Sequence, residues 1–412
     1  MAGEDGVRPS AGPAAALRLM RSREFGPYFF GNALSASGTW FQNLAGALLV
    51  YRLTHSTLLL GVLNFCQFVP VLLLAPWAGS AADRFDRRRL LFITQVVATA
   101  LSAALAVLDW GGIAAAWVVI LFALGLGVTS AYSVPASQAL ISGLVPPAEL
   151  ASAVALNSMT FNLARAVGPA LAAVSVRTLG IPASFAINSA SYVLLALALL
   201  AVRPRPQQRA SREESRLRES LRLVVRQPRL LAFLLIVTAV GFASDPVNTE
   251  APAFAHAFGR PDTEAGYIIG AFGVGAVAAA FLVAGRVAGS RRRTGITLAL
   301  LGCGIVAFSI SPWLSLGYIF LFAAGLGYLA SNTSATSRLQ LEVAENQRGR
   351  IMALWSVAFL GLRPLASLAD GAIAQAAGVR VAGVVLALPA LAGAAVAVAL
   401  THSRSNRFLQ VS

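Results

Sequence analysis

Three acids interrupt apolar stretches of the chain: Asp245 and Glu250 in GFASDPVNTEAPAF (241–254), and Asp370 in RPLASLAD (363–370). Two arginines, Arg165 and Arg363, are set in the same kind of surroundings. A carboxyl group that alternates between a desolvated and a charge-paired environment takes up and releases a proton. The three acids are therefore proton-coupling candidates. Asp245 ranks first, because Glu250 and Asp370 fall about 28–30 Å along their helices, near an interface that water reaches. Pro246 and Pro252 interrupt the helix around Asp245 and free backbone groups that need polar partners. Arginine cannot escape burial by deprotonating, and each would cost roughly 2.5–3.5 kcal/mol at a helix centre. Arg165 and Arg363 are thus expected to face water or a carboxylate, as a structural tie at an interface or as an anion- or substrate-binding pair. No nucleophile–base set, Walker sequence or metal-ligand spacing accompanies these residues. Cys66 and Cys303 lie in apolar stretches and His55, His256 and His402 are scattered. No enzyme activity, catalytic residue, metal or cofactor is expected.

The elements that must position these groups are membrane helices. Of the 412 residues, 57% are hydrophobic and 12% charged, about half the charged share of a soluble domain, and the mean hydropathy is +0.72. The net charge is +15 and all 32 cationic residues are arginine, a pattern of biased genomic composition rather than nucleic-acid binding. A bilayer core takes about 20 apolar residues per helix. That spacing predicts spans near 27–51, 57–82, 90–108, 113–134, 152–175 and 183–202, then 230–254, 265–285, 294–311, 314–335, 351–374 and 380–401. The expected fold is an all-α polytopic membrane protein with twelve transmembrane helices in two pseudo-symmetric six-helix halves. Its parts are a cytosolic N-terminal segment (1–26), a first half (27–202), a charged cytosolic linker (203–229), a second half (230–401) and a cytosolic tail (402–412). No cleavable signal peptide is read in the polar first 25 residues. With both termini cytosolic, 26 of the 32 arginines fall on the inner side, as the positive-inside bias requires.

The halves repeat one another. LFALGLG (121–127) returns as LFAAGLG (321–327). At an offset of 198, Ala155, Leu156, Ser158, Phe161, Arg165 and Gly180 meet identical residues at Ala353, Leu354, Ser356, Phe359, Arg363 and Gly378.

Between the second and third spans stands GSAADRFDRRR (79–89). Gly79, Asp83, Arg84, Arg87 and Arg88 resemble the signature loop of the major facilitator superfamily, with Asp86 where that family usually has glycine. The stretches 40–61, 144–172 and 348–367 resemble its enterobactin-exporter-like and multidrug- or macrolide-efflux-like branch, the transmembrane secretion effectors. The resemblance implies paired halves with a substrate site between them, and a cavity lined by spans one, four, seven and ten. Asn32, Gln42 and Asn43 of span one become substrate-cavity candidates, with helix–helix hydrogen bonding as their alternative role. Asp83 and Arg84 are expected to latch the inner gate against the start of span eleven, where Arg348 and Arg350 are the gate partners. ARAVGPALAA (164–173) resembles an antiporter motif through Gly168 and Pro169, with alanines in place of other glycines. Span four has Ser137 where the branch often has arginine, so a proton path cannot be copied from it.

The expectation is a bacterial inner-membrane exporter of a small amphipathic molecule (drug, siderophore or secondary metabolite), working by alternating access and proton antiport. Its partners are the substrate, protons and lipid, with no nucleic acid and a monomeric state. Import or facilitated diffusion is the alternative within transport, and a non-transporting membrane sensor the alternative outside it.

Overall fold

The computed structural model describes residues 13–205, 224, 226–282, 291–343, 351–352 and 354–408. Most of the charged linker, residues 285–290 and the expected gate partners Arg348 and Arg350 lie outside the described residues. Fourteen helices are labelled here in chain order. The first half holds α1 (Pro13–Met20), α2 (Gly26–Thr54), α3 (Thr57–Arg84), α4 (Arg87–Trp110), α5 (Ala116–Leu144), α6 (Leu150–Leu179) and α7 (Ile181–Ala201). The second holds α8 (Pro228–Thr249), α9 (Ala251–Ala257), α10 (Ala265–Leu282), α11 (Arg291–Ile310), α12 (Leu314–Leu341), α13 (Arg363–Ala377) and α14 (Val379–Phe408). A π-helical turn, Val357–Gly361, leads into α13. The short α1 and α9 aside, twelve helices among the described residues correspond to the twelve expected spans, α13 together with the turn before it.

Among the described residues, eleven segments are long and apolar enough to cross a membrane, α13 counting only together with the π-helical turn before it, as Leu354–Ala377. The remaining span, α2, has 29 residues, but its polar side chains lower its hydropathy. It is enclosed instead by α7: a Cβ on Gly31 would meet Ala198 at 3.0 Å, and one on Gly38 would meet Asn188 at 2.6 Å. Several helices run past the apolar limits, α5 to Leu144 and α12 to Leu341. Hydropathy marks where lipid ends, whereas the helix continues until a cap or turn stops it. Gly180 and Gly378, paired by the repeat, both end a helix at positive φ, +89° and +93°, where a Cβ would be strained.

In the loop 79–89, Asp86 stands where the family pattern has glycine. Asp86 has φ −61° and N-caps α4 by accepting from the Arg89 amide at 2.7 Å, so no left-handed residue is needed. Arg87 donates to the Ala139 carbonyl at 3.1 Å, and Arg88 donates to the Leu199 and Leu200 carbonyls. These contacts lie near the C-terminal ends of α5 and α7, where cations meet the negative end of the helix dipole. The end of the bundle carrying this loop is called the Arg-rich end below.

The halves meet along two seams of small residues. In one, α3 lies on α13: Gly61 packs on the Ser367 carbonyl, and a Cβ on Gly371 would meet the Thr57 carbonyl at 2.7 Å. In the other, α6 lies on α10: Gly266 packs on Pro169 and Ala173, and a Cβ on Gly273 would meet the Ala166 backbone at 2.6 Å. Only the absence of side chains allows such approach. Polar ties close the end opposite the Arg-rich one. Arg52 holds Asp262 with two hydrogen bonds, one of 2.9 Å, and Ser56 donates to Gln375 at 3.1 Å. Toward the Arg-rich end the described part of the α3 seam ends near Leu72, which a Cβ on Gly361 would meet at 2.7 Å. Ala75, Pro76 and Asp83 are exposed, and a Cβ on Gly79 would meet nothing within 4 Å.

Candidate functional site

The two repeat-related arginines stand at the interface of the halves. Arg165 of α6 donates to the Tyr328 hydroxyl of α12 at 2.6 Å and lies 4.5 Å from that ring's centroid. Arg363, the first residue of α13, lies 4.4 Å from the Phe68 ring of α3 and 3.8 Å from an Asp245 oxygen. Each arginine thus reaches an aromatic ring of the other half. Their electrostatics differ, because only Arg363 has a carboxylate.

Asp245 is 1% exposed and held by three helical turns converging on it. Ser367, one turn after Arg363, donates to Oδ1 at 3.0 Å, and Thr249, one turn after Asp245, donates to Oδ2 at 2.9 Å. Both oxygens therefore accept a hydroxyl hydrogen bond, and Arg363 adds charge. The helix breaks just beyond. Glu250 has φ −101° and ψ 13°, ending α8 and starting α9, where Pro252 cannot continue the pattern of backbone donation.

Glu250 and Asp370 are not wet, as their depth along the helices suggested; both are 0% exposed. Asp370 directly precedes Gly371, which packs on Gly61 and Thr57 of α3, and Glu250 sits at the junction of α8 and α9. Among the described residues, none of their four carboxyl oxygens has a hydrogen-bond partner. They interact electrostatically with each other and with Asp245. Three acids thus share one low-dielectric region, one of them fully supplied with donors and two without any.

Beside this cluster is a small void of about 30 Å³ with a mixed lining, in which Asn43, Asn64, Gln67 and Arg363 meet Leu44 and Phe68. That is the volume of one water molecule, so a substrate needs the halves to move apart. Asn43 lines it and accepts from Gln67 at 2.7 Å. Gln42 does not. It is 7% exposed and accepts from Asn188 of α7 at 3.2 Å, because one residue of helix turns the side chain by about 100°. Asn32 donates to Asn157 of α6 at 2.8 Å, tying two helices of one half near the Arg-rich end. Gly168 packs against Trp40, where a Cβ would meet the Trp40 Cβ at 2.8 Å, and Pro169 lies on the α10 seam. Ser137 bonds the Tyr28 hydroxyl at 2.6 Å. Ser367, Thr249, Phe68 and Tyr328 were not picked out from the sequence. The i+4 spacing of Arg363–Ser367 and Asp245–Thr249 would have found the first two; nothing local marks the rings.

Comparison with known proteins places this geometry. The profile of a family described as "Transmembrane secretion effector" matches residues 14–408. The staphyloferrin A transporter of Staphylococcus aureus is 34% identical over 175 residues, 42% of this chain and 44% of that one, so less than two thirds of the relative's length is spanned. The multidrug efflux pump Tap of Mycobacterium bovis is 25% identical over 405 residues, 93% of this chain and 96% of its own. A bacterial homologue of the human lysosomal transporter Spinster, crystallised inward-facing and occupied, superposes with a TM-score of 0.71 at 16% identity, over 95% of this chain and 98% of that one. At that identity the superposition speaks for the fold.

Proposed function

The chain belongs to the transmembrane secretion effector family of the major facilitator superfamily, and from that premise we propose that it exports a small amphipathic molecule in exchange for protons. The observation that carries the reading is the cluster of Asp245, Glu250 and Asp370, buried beside an arginine at the interface between two halves that must separate and close. Relatives named as a multidrug efflux pump and as a staphyloferrin A transporter support the substrate class.

The Arg-rich end faces the cytosol and both termini lie there, in a bacterial inner membrane; the arginine distribution supports this orientation. The ties of Arg52 to Asp262 and of Ser56 to Gln375 then close the outer side. Asp245, with two hydroxyl donors and Arg363, is equipped to stand as an anion. Glu250 and Asp370 have no donors, and burying an ionised carboxylate so costs several kcal/mol; a bound proton removes that cost. When the outer seams part, water reaches all three acids and protons bind. When they close and the inner side opens, Arg363 recovers the Asp245 carboxylate and a proton leaves to the cytosol. Substrate occupies the space beside Asn43 and Arg363 once the small void has widened. Asp83 and Arg84 latch the inner gate in the opposite state. The protein works as a monomer.

Inverted membrane vesicles carrying an imposed pH gradient test the reading directly, with antibiotics, dyes and siderophores added in turn. Gradient collapse on substrate addition that disappears in Asp245→Asn is the expected result. Transport that persists after Asp245, Glu250 and Asp370 are all neutralised would replace antiport with facilitated diffusion. Silence of a well-expressed protein across the panel would favour a non-transporting role.

A further inference from the structure

Two histidines that look scattered in the sequence meet the same ring in the folded chain. His55 ends α2 with φ +49°, and its ring stands edge-on to Tyr51 at 5.6 Å between centroids. His256, in the last turn of α9, stands edge-on to the same ring from the other half, at 6.3 Å. Both imidazoles are exposed, whereas Tyr51 is buried. The three rings belong to the end opposite the Arg-rich one, where Arg52, next to Tyr51, holds Asp262.

From Tyr51 the way inward is marked on both halves. Asn43, Ala47 and Tyr51 follow one another at steps of one turn along α2, and Asn43 and Ala47 line the small central void. On the other half Glu250 opens α9 and Pro252 lines the same void, with His256 about 9 Å farther out along the axis. Glu250 and Asp262 both act electrostatically on Tyr51. Asp109, at the end of α4, acts on Arg52, and Arg380 of α14 donates to the Ala257 carbonyl beside His256. Behind Glu250 stand Asp370 and Asp245. Asp262 is engaged by Arg52 through both of its oxygens. Glu250 is fully buried and, among the described residues, neither of its oxygens has a hydrogen-bond partner. Of the two acids acting on Tyr51, it is the one placed to take a proton.

We infer that His55 and His256 are the proton entrance of the outer end and that Tyr51 passes the proton inward to Glu250. The inference rests on the proton-antiport reading and supplies its route. Imidazole is the side chain whose ordinary change of charge falls between about pH 5 and 8, which suits it to collect a proton from the outer solution. The imidazolium gives this proton to the Tyr51 oxygen as the Tyr51 hydroxyl gives its own, through one admitted water, to a Glu250 oxygen. Imidazole and phenol return to their neutral forms. The carboxylate becomes a carboxylic acid, which removes the cost of burying its charge. As the halves separate, His55 travels with Tyr51 and His256 with Glu250, so each partner of the transfer keeps a donor beside it.

The test follows proton uptake by the purified full-length protein in detergent and needs no transported substrate. Time-resolved infrared spectroscopy records the carboxylic-acid band after a jump from alkaline to mildly acidic pH, and Glu250→Gln assigns the part due to Glu250. The double variant His55→Gln/His256→Gln is expected to slow that band about 100-fold, the lower end of what a positioned proton donor contributes. Added imidazole is expected to restore the rate, which it would not do for a merely structural histidine pair. Tyr51→Phe keeps the ring and deletes the hydroxyl, and is expected to slow the band by a similar factor. An unchanged rate in either variant would overturn the route, as would slowing in the histidine variant that imidazole does not rescue. If the histidine variant does not fold, Tyr51→Phe decides alone. A wild-type protein with no band sensitive to Glu250→Gln would remove proton binding at Glu250 and this route with it; the other failures leave antiport standing.

Discussion

Arg165 and Arg363 occupy the same position in the repeat, and their surroundings differ. Arg165 bonds a neutral phenol, Tyr328, while Arg363 faces the buried carboxylate of Asp245. Both stack on an aromatic ring of the opposite half. The shared feature is a cation anchored across the seam; the acid is confined to one side. Among the described residues, the cluster of fully buried acids belongs to the second half, where α8 breaks at Glu250.

The contrast can be broken by removing each arginine. Arg363→Ala leaves Asp245 buried without its cation, and loss of one partner of a buried pair costs about 3–5 kcal/mol. Thermal unfolding in detergent should show a large drop, and the double variant Arg363→Ala/Asp245→Asn should recover most of it. A double variant as unstable as the single one would mean that packing of Arg363 on Phe68, rather than charge, holds the site.

Arg165→Ala should cost less. It gives up one charge-assisted hydrogen bond, about 1.5–3 kcal/mol, and leaves no orphaned carboxylate. If it proved as damaging as Arg363→Ala, the two sides of the repeat would be energetically alike. Tyr328→Phe sharpens the comparison further by keeping the ring and deleting the hydroxyl. A loss of about 1 kcal/mol is expected, with substrate-driven proton movement in vesicles retained.

The smallest effect on stability belongs to the closed outer end. Asp262→Asn weakens the partly exposed Arg52 pair, worth roughly 0–1 kcal/mol. Its consequence should appear in conformation instead. A spin-label distance between α2 and α10 at that end should shift toward longer values, whereas an unchanged distribution would show that the small-residue seams alone keep this end shut.

The polar residues of α2 show what kind of information each level carries. Asn32, Gln42 and Asn43 stood out together in the sequence because an apolar helix rarely contains them. In the folded chain Asn32 ties α2 to α6, Gln42 is sealed against α7, and Asn43 faces the central void. Adjacent residues differ by about 100° around the axis, so only the rotation of the helix among its neighbours separates a cavity residue from a packing residue. Glu250 and Asp370 teach the same lesson about depth. Their distance along the helix was legible, but that both are fully enclosed depends on the helices packed around them.

By itself the sequence determined the twelve spans, the repeat that relates the halves and the arginine asymmetry, along with the acids and arginines that interrupt apolar helices. These follow from composition and period, which are local and additive along the chain. Tertiary structure decided which acid meets which cation, and that Ser367 and Thr249 supply the donors of Asp245. Those outcomes depend on the rotation and approach of helices far apart in sequence, set by packing of glycines and rings that no single segment encodes.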